Sequence, residues 1–333
     1  MIVATSPGRC GLIGNPTDMY GGSVISCSTS ERATCTLEQD TQDISITVSG
    51  EQQVMRKIED FDLKEDDRLN VARGVLSALE VVPGQTRPFH LEAVTEIPMQ
   101  AGLAGSTAIL ATIVGCVLAH LEIRLSPYET AELIRKIEYD VLHIVCGFQD
   151  HYMATFGGLN YMDFRGKNNA QPQGPDSPLA TIEPLDKYMN TPPLILAHTG
   201  VKHHSGTVHR TIRDRWAAGE TAVIDGNTEI ARIARLGKRA LMTGDLEILG
   251  ELMNRNHAIQ RDLGGSGEAN ETLIKAARNA GALGAKLAGA GGGGTIIALS
   301  DDVQGMGDAL MAAGADRIMY PVASPGLTVS IRC

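Results

Sequence analysis

The chain has 333 residues, 43% hydrophobic and 20% charged, the makeup of a globular protein with room for two packed domains or one large one. A formal net charge of −10 argues against nucleic acid as a partner, since a phosphate backbone demands clustered Lys and Arg. No charged-then-apolar leader opens the sequence, and its six cysteines form no CxxC pair and no zinc spacing, so reduced, mostly buried thiols of a cytoplasmic protein are expected.

Residues 2–29 hold a short apolar start, then Pro7-Gly8-Arg9-Cys10-Gly11-Leu12-Ile13-Gly14-Asn15-Pro16-Thr17-Asp18 with Gly21-Gly22 behind it, and a strand-like Ser23–Ser28. A Gly/Pro-rich frame can hold Arg9, Asn15 and Asp18 at fixed angles to a polyol. Alternatively, Asn15 and Asp18 bond the backbone of their own turn. Alternation predicts strands over 44–48 and 89–97, and residues 69–82 look helical.

Residues 98–110 read Pro-Met-Gln-Ala-Gly-Leu-Ala-Gly-Ser-Thr-Ala-Ile-Leu. Small residues lead into an apolar run, so amides of Gly102, Leu103, Ala104, Gly105, Ser106 and Thr107 can converge where a helix begins, which makes a phosphate site. The same residues also suit a helix entry that needs only close packing. The Gly-Lys-Ser/Thr ending of a Walker A loop is absent. On the phosphate reading, a β-branched side chain at Gly105, as in Gly105→Val, would block the approach of the anion and restrict φ. From Ala101 to Leu121 there is no charged residue, about a membrane span in length. Ser106, Thr107 and Thr112 and the lack of a flanking basic cluster indicate a helix buried on all sides, with no membrane partner.

Ser126-Pro127-Tyr128-Glu129 is a strong helix start, and the apolar stripe continues to Leu142, with an end before Gly147. Asp150, in Gly147-Phe148-Gln149-Asp150-His151, lies just beyond that end and before Gly157-Gly158. It reads as a general base, or as a cap or turn residue. Asn168–Pro178 reads as a loop, and a domain boundary is placed so that residues 1–180 and 181–333 separate. Beyond it, a strand over 194–198, helices over 205–218, 220–242, 245–263 and 268–281, and strands over 296–299 and 327–331 complete an α+β class. His203, His204 and His209 suggest a metal, but no nearby Cys or carboxylate completes a ligand set. A basic segment (Lys202, Arg210, Arg213, Arg215) that meets an anionic substrate is the preferred reading. Lys286–Gly294 contains GxGxxG, but a strand and not a helix follows, so a close backbone approach to a loop or ligand fits better than a dinucleotide.

Taken together and in order, Pro7–Asp18, Pro98–Ala108 and Lys286–Thr295 resemble the three motifs of the galactokinase, homoserine kinase, mevalonate kinase and phosphomevalonate kinase (GHMP) superfamily. The resemblance runs from residue 7 to about 299. Asn15-Pro16 replaces the Glu-His of the galactokinase signature, and the Asn-Pro-Thr-Asp, Gly-Phe-Gln-Asp and Ser205–Trp216 stretches look most like the glucuronokinase branch; bacterial heptose kinases are the near alternative. The resemblance implies a two-domain GHMP kinase fold with the active site in a cleft between domains, and ATP and Mg²⁺ as cofactors. It implies phosphorylation of a sugar hydroxyl, in the glucuronokinase branch the anomeric hydroxyl of a uronic acid. It also implies Asp150 as catalytic acid with Arg9 as the cation beside it, Ser106 or Thr107 and Glu138 as Mg²⁺ ligands, and Asp18 as a sugar-binding carboxylate. Asn15 would join Asp18 at the sugar, with Lys202 and Arg213 as cations for the carboxylate. A monomer or homodimer is expected. A sugar sensor on the same fold would be free to lose Asp150, Arg9 and Ser106, and a decarboxylase of the mevalonate branch would not need the sugar-type start.

Overall fold

The computed structural model describes the chain except for residues 41, 168–173, 175, 202–204, 290, 292 and 333, and for the side chains of 205–210. An eight-stranded sheet takes β1 (Ile2–Ile13), β2 (Ser23–Gln39), β3 (Ile44–Val48), β4 (Glu51–Met55), β5 (Phe89–Thr95), β6 (Leu159–Asp163) and β7 (Thr181–Pro184). A second sheet of four strands holds β8 (Leu194–His198), β9 (Gly284–Leu287), β10 (Thr295–Leu299) and β11 (Arg317–Met319). The last strand, β12 (Thr328–Ile331), returns to the first sheet and pairs with β1. The first sheet therefore draws on both sides of residue 180, through β7 and β12, because their outer partners β6 and β1 still have an edge to fill.

The helices are α1 (Asn70–Ala78), α2 (Gly105–His120), α3 (Pro127–Lys136), α4 (Gln149–Phe156), α5 (Ser205–Ala217), α6 (Thr221–Thr243), α7 (Leu246–Asp262), α8 (Glu268–Asn279) and α9 (Val303–Ala312). Helix α2 packs on β1, β2 and β5 and is apolar around its whole girth, as expected for a helix enclosed on all sides. Among the described residues no helix is long and apolar enough to cross a membrane. The capping box at α3 forms as its sequence requires: Glu129 N–H donates to Ser126 Oγ at 3.2 Å, and Ser126 N–H donates to the Glu129 carboxylate at 2.8 Å. Helices α8 and α9 cover the second sheet around a separate apolar cluster that includes Ile195, Leu273, Ile296 and Leu310. Cys10, Cys27, Cys35, Cys116 and Cys146 are buried thiols, in line with the reading of composition, while Cys333 lies outside the described residues.

Two local expectations need correction. The Gly/Pro-rich start is strand as well as turn: β1 runs through Pro7–Ile13, where register shifts at Pro7/Arg9 and Gly11/Ile13 absorb the missing donor and the glycines, and the chain turns only from Gly14 into a 3₁₀ turn at Thr17–Tyr20. Asp150 does not trail the preceding helix either. The chain passes through a turn of π-helix at Ile137–Val141, leaves helical structure, and begins α4 at Gln149.

Candidate active site

The three glycine-rich stretches meet. Arg9 N–H donates to Leu103 O at 3.0 Å, and Gly11 N–H donates to Ala288 O at 2.8 Å, so β1 holds the 98–110 loop on one side and the 286–295 loop on the other. The third stretch approaches the second so closely that no side chain fits between them. A Cβ built on Gly289 would lie 2.5 Å from Gly102 O. That is the close backbone approach expected from the sequence, and its object is another loop.

The 98–110 loop ends in an uncapped helix. Ala104 enters α2 in the left-handed region (φ 58, ψ 33), and no side chain caps the first turn. Its amides and the positive end of a sixteen-residue helix are thus left for an anion. Ser106 is exposed at this end, and Thr107 is buried behind it. At Gly105 the protein itself leaves room for a small side chain: its φ is not positive, and a Cβ there would make only ordinary contacts, the nearest to Ile97 Cγ2 at 3.4 Å. Gly289→Ala should therefore weaken nucleotide binding at least about tenfold, about 1.4 kcal/mol, because only backbone faces the new methyl. Gly105→Ala should change it little. Titration of both purified variants with a fluorescent ATP analogue checks this, and equal affinities would contradict it.

Arg9 and Asp150 form the most constrained ion pair of this region. Asp150 Oδ1 accepts from Arg9 Nε at 2.7 Å and lies 2.6 Å from Arg9 Nη2. Arg9 Nη1 donates to Gly102 O at 2.6 Å, which ties the pair to the anion-facing loop. The Arg9 side chain is 7% exposed and that of Asp150 25%, so the acid keeps a face open. Geometry of this kind suits a group that accepts a proton beside a transferring phosphoryl group.

Asp18 does more than the sequence suggests. Its Oδ2 accepts from Phe148 N–H at 2.7 Å and Gln149 N–H at 3.0 Å, so a carboxylate from a 3₁₀ turn caps α4 across the fold and fixes the helix that carries Asp150. Gly147 is glycine because a Cβ there would sit 1.9 Å from that oxygen. Burial pushes the Asp18 carboxyl up to about 6, with nearby Asp150 adding to the rise and the two amides opposing it. A raised acid gives the folded state its proton-bound advantage below the ordinary value of 3.8 and loses it as pH rises through about 6. Relative to Asp18→Asn, which keeps an oxygen for the amides, the wild-type protein should thus lose on the order of 3 kcal/mol between pH 4 and pH 6.5. Urea melts of both proteins across this range measure it; parallel curves would contradict the assignment.

Asn15 is 1% exposed and is taken up by the protein itself. Its Oδ1 accepts from Lys286 Nζ at 2.7 Å and its Nδ2 donates to Gly289 O at 3.2 Å, so it joins β1 to the third loop. Lys286 also donates to Gly11 O at 3.2 Å and to Leu287 O. Burial pushes this ammonium down to about 7, and Arg9 adds to the effect.

Glu138, on the π turn, points at the start of α2: its Oε2 accepts from Thr107 Oγ1 at 2.9 Å and lies 2.7 Å from His151 Nε2. Arg213, on α5, pairs with Asp214 at 2.9 Å and interacts with Tyr139. The same helix leans on the Asp18 turn through Trp216 and Tyr20, whose ring centroids are 5.2 Å apart. Lys202, His203 and His204 lie outside the described residues, as do the side chains of His209 and Arg210.

Residues 70–158 match the GHMP kinases N terminal domain and residues 238–314 the GHMP kinases C terminal. A mevalonate kinase of Pyrococcus horikoshii is 30% identical over 241 residues, 71% of this chain and 67% of that protein. The chain belongs to the GHMP kinase family. Glucuronokinase 1 of Arabidopsis thaliana is 34% identical over 209 residues, 61% of this chain and 56% of that protein. The chain thus spans just over half the length of the plant relatives it matches. The crystal structure of Lactococcus lactis galactokinase complexed with galactose shares the fold, at a TM-score of 0.77 and 21% identity over 98% of this chain and 95% of that one.

Within this GHMP kinase, sequence reasoning passed over three residues that build the site. Lys286 was visible only as the first letter of a glycine-rich run. Asn256 of α7 accepts from Gly14 N–H at 2.8 Å and donates to Asn15 O at 3.4 Å, a long-range contact with no local signal. Gln149 accepts from Ser26 Oγ at 2.9 Å and so locks the start of α4 to β2. The Gly-Phe-Gln-Asp string was the only sign of it.

Proposed function

We propose that this protein is an ATP-dependent kinase that transfers the γ-phosphoryl group to the anomeric hydroxyl of a uronic acid such as glucuronate. The observation that carries the reading is the Arg9–Asp150 pair, bonded to the carbonyl of Gly102 in the loop whose helix end is uncapped. Asp150 takes the proton of the sugar hydroxyl as the oxygen attacks phosphorus, and Arg9 offsets charge on the moving group. The amides at the start of α2 hold the phosphates of ATP.

The donor set suits Mg²⁺, a hard cation that takes oxygen ligands: the exposed hydroxyl of Ser106 stands one residue from Thr107, which already positions the Glu138 carboxylate. Ser106 and Glu138 would hold the ion, which when bound neutralises charge on the β- and γ-phosphate oxygens. Glu138 keeps its place through Thr107 and His151.

The uronate reading is supported by the likeness to the plant glucuronokinase and by Arg213, whose helix packs on the Asp18 turn. A carboxylate on the sugar would share this guanidinium with Asp214, a contact that a neutral sugar cannot make. The wider match to an archaeal mevalonate kinase makes a mevalonate-like acid the second acceptor to test. Wild-type kcat/KM should be highest for glucuronate against galactose, a heptose phosphate and mevalonate. Arg213→Ala should lower the glucuronate value about 10- to 100-fold and leave galactose nearly unchanged. An acceptor other than glucuronate ranking first, or equal losses for both sugars, would remove the uronate assignment.

A further inference from the structure

Glu138, Cys146 and His151 come together as a set that Mg²⁺ alone does not explain. Their ligand atoms all lie within 4.8 Å of one another. His151 Nε2 stands 2.7 Å from Glu138 Oε2 and 3.9 Å from Cys146 Sγ. All three are buried, at 4%, 9% and 0% exposure for Glu138, Cys146 and His151. They come from three successive pieces of chain, the π turn, the segment before α4 and the first turn of α4, so folding and not sequence spacing gathers them. His151 Nδ1 is buried without a hydrogen-bond partner, so no second bond ties the ring proton to one nitrogen.

We propose that Glu138, Cys146 and His151 form a site for Zn²⁺ that takes Glu138 away from Mg²⁺, so that zinc inhibits the enzyme in competition with magnesium. The inhibitory half rests on the kinase reading; the binding half does not.

The donor chemistry selects the ion. One thiolate, one imidazole and one carboxylate form a mixed set that a borderline-soft cation prefers, and a hard cation has no use for the sulfur. Around a tetrahedral Zn²⁺, bond lengths of about 2.0–2.3 Å put neighbouring ligand atoms about 3.4–3.6 Å apart. The two spacings here, 2.7 and 3.9 Å, bracket that value, so each atom needs to move by less than about 1 Å. Three protein ligands leave the fourth position open, as in catalytic zinc sites. On binding, the Cys146 thiol gives its proton to the buffer, and an Nε2 proton of His151 passes to Nδ1. Sulfur, nitrogen and oxygen then each donate a lone pair to the metal. Glu138 Oε2 faces both Thr107 and His151, so a zinc ion on that carboxylate withdraws the negative charge it would offer Mg²⁺ and sets two dications a few ångströms apart, which repel.

The test uses Co²⁺ and Zn²⁺ as probes, first without ATP or sugar. Wild-type protein with Co²⁺ should show a thiolate-to-cobalt charge-transfer band in the near ultraviolet, and Cys146→Ser should abolish it. Zn²⁺ affinity, read by competition with a chromophoric chelator, should fall at least tenfold in Cys146→Ser and again in His151→Gln. The second variant decides the matter if the first does not fold. In the kinase assay, rising Mg²⁺ should relieve Zn²⁺ inhibition of the wild-type enzyme, and Cys146→Ser should need at least tenfold more Zn²⁺ for half-inhibition. Cobalt spectra without a thiolate band, or zinc affinity unchanged in both variants, would overturn the site. Spectra as expected with no kinase activity towards any acceptor would keep the metal site and remove the kinase reading instead. Inhibition that Mg²⁺ does not relieve would overturn the competition.

Discussion

Asp150→Asn is expected to lower turnover about 10²- to 10⁴-fold while fold and nucleotide affinity stay as they are. The asparagine carbonyl can still accept from Arg9 Nε and Nη2, which now bond Oδ1 at 2.7 and 2.6 Å. The loop contact of Arg9 with Gly102 O is then undisturbed. Helix α4 loses nothing at its start, because Asp18 and not Asp150 caps it. What disappears is a group that can take the proton of the attacking hydroxyl. Single-turnover rates beside an ATP titration separate chemistry from binding. Near-wild-type turnover would remove Asp150 from the mechanism, and loss of ATP binding would make it a structural ion pair.

Glu138→Gln should raise the Mg²⁺ concentration for half-maximal activity about 10- to 100-fold and reduce the maximal rate about 10²-fold. The amide has the shape of the carboxylate and can keep the bond from Thr107 Oγ1, now 2.9 Å, so the start of α2 stays in place. The negative charge is gone, and with it the carboxylate oxygen proposed to hold the ion. Activity measured over a range of Mg²⁺ at saturating ATP reads both effects. An unchanged Mg²⁺ curve would show that Glu138 serves only Thr107 and His151.

The sequence carried the parts of this site that depend on local backbone chemistry. The small residues on either side of Leu103 at 101–107 favour a tight turn into a helix, and the chain makes one with Ala104 left-handed. The capping box at Ser126 and the uncharged run of α2 were equally readable, since caps and burial leave their marks within a few residues. Partners separated by the whole chain were not readable. Asp18 looked like a turn acid or a sugar ligand, and nothing in its neighbourhood tells that its oxygen caps a helix 130 residues on. Nothing beside Asn15 in the sequence tells that Lys286, 271 residues on, bonds its oxygen. The strand through Pro7–Ile13 was hidden for the opposite reason: local Gly and Pro signals say turn, and pairing with β2 overrides them up to Ile13, after which the turn does form.

Strand β1 and the two loops it holds meet beside Asp150, where phosphate is proposed to pass from ATP to a sugar hydroxyl. Phosphorus NMR of the wild-type protein with ATP, Mg²⁺ and glucuronate tests it in one tube. The account predicts ADP and a sugar phosphate ester in equal amounts, the ester phosphorus coupled to the anomeric proton, and neither product in appreciable amount with Asp150→Asn over the same time. ATP that remains intact with glucuronate, galactose, a heptose phosphate and mevalonate alike would contradict it.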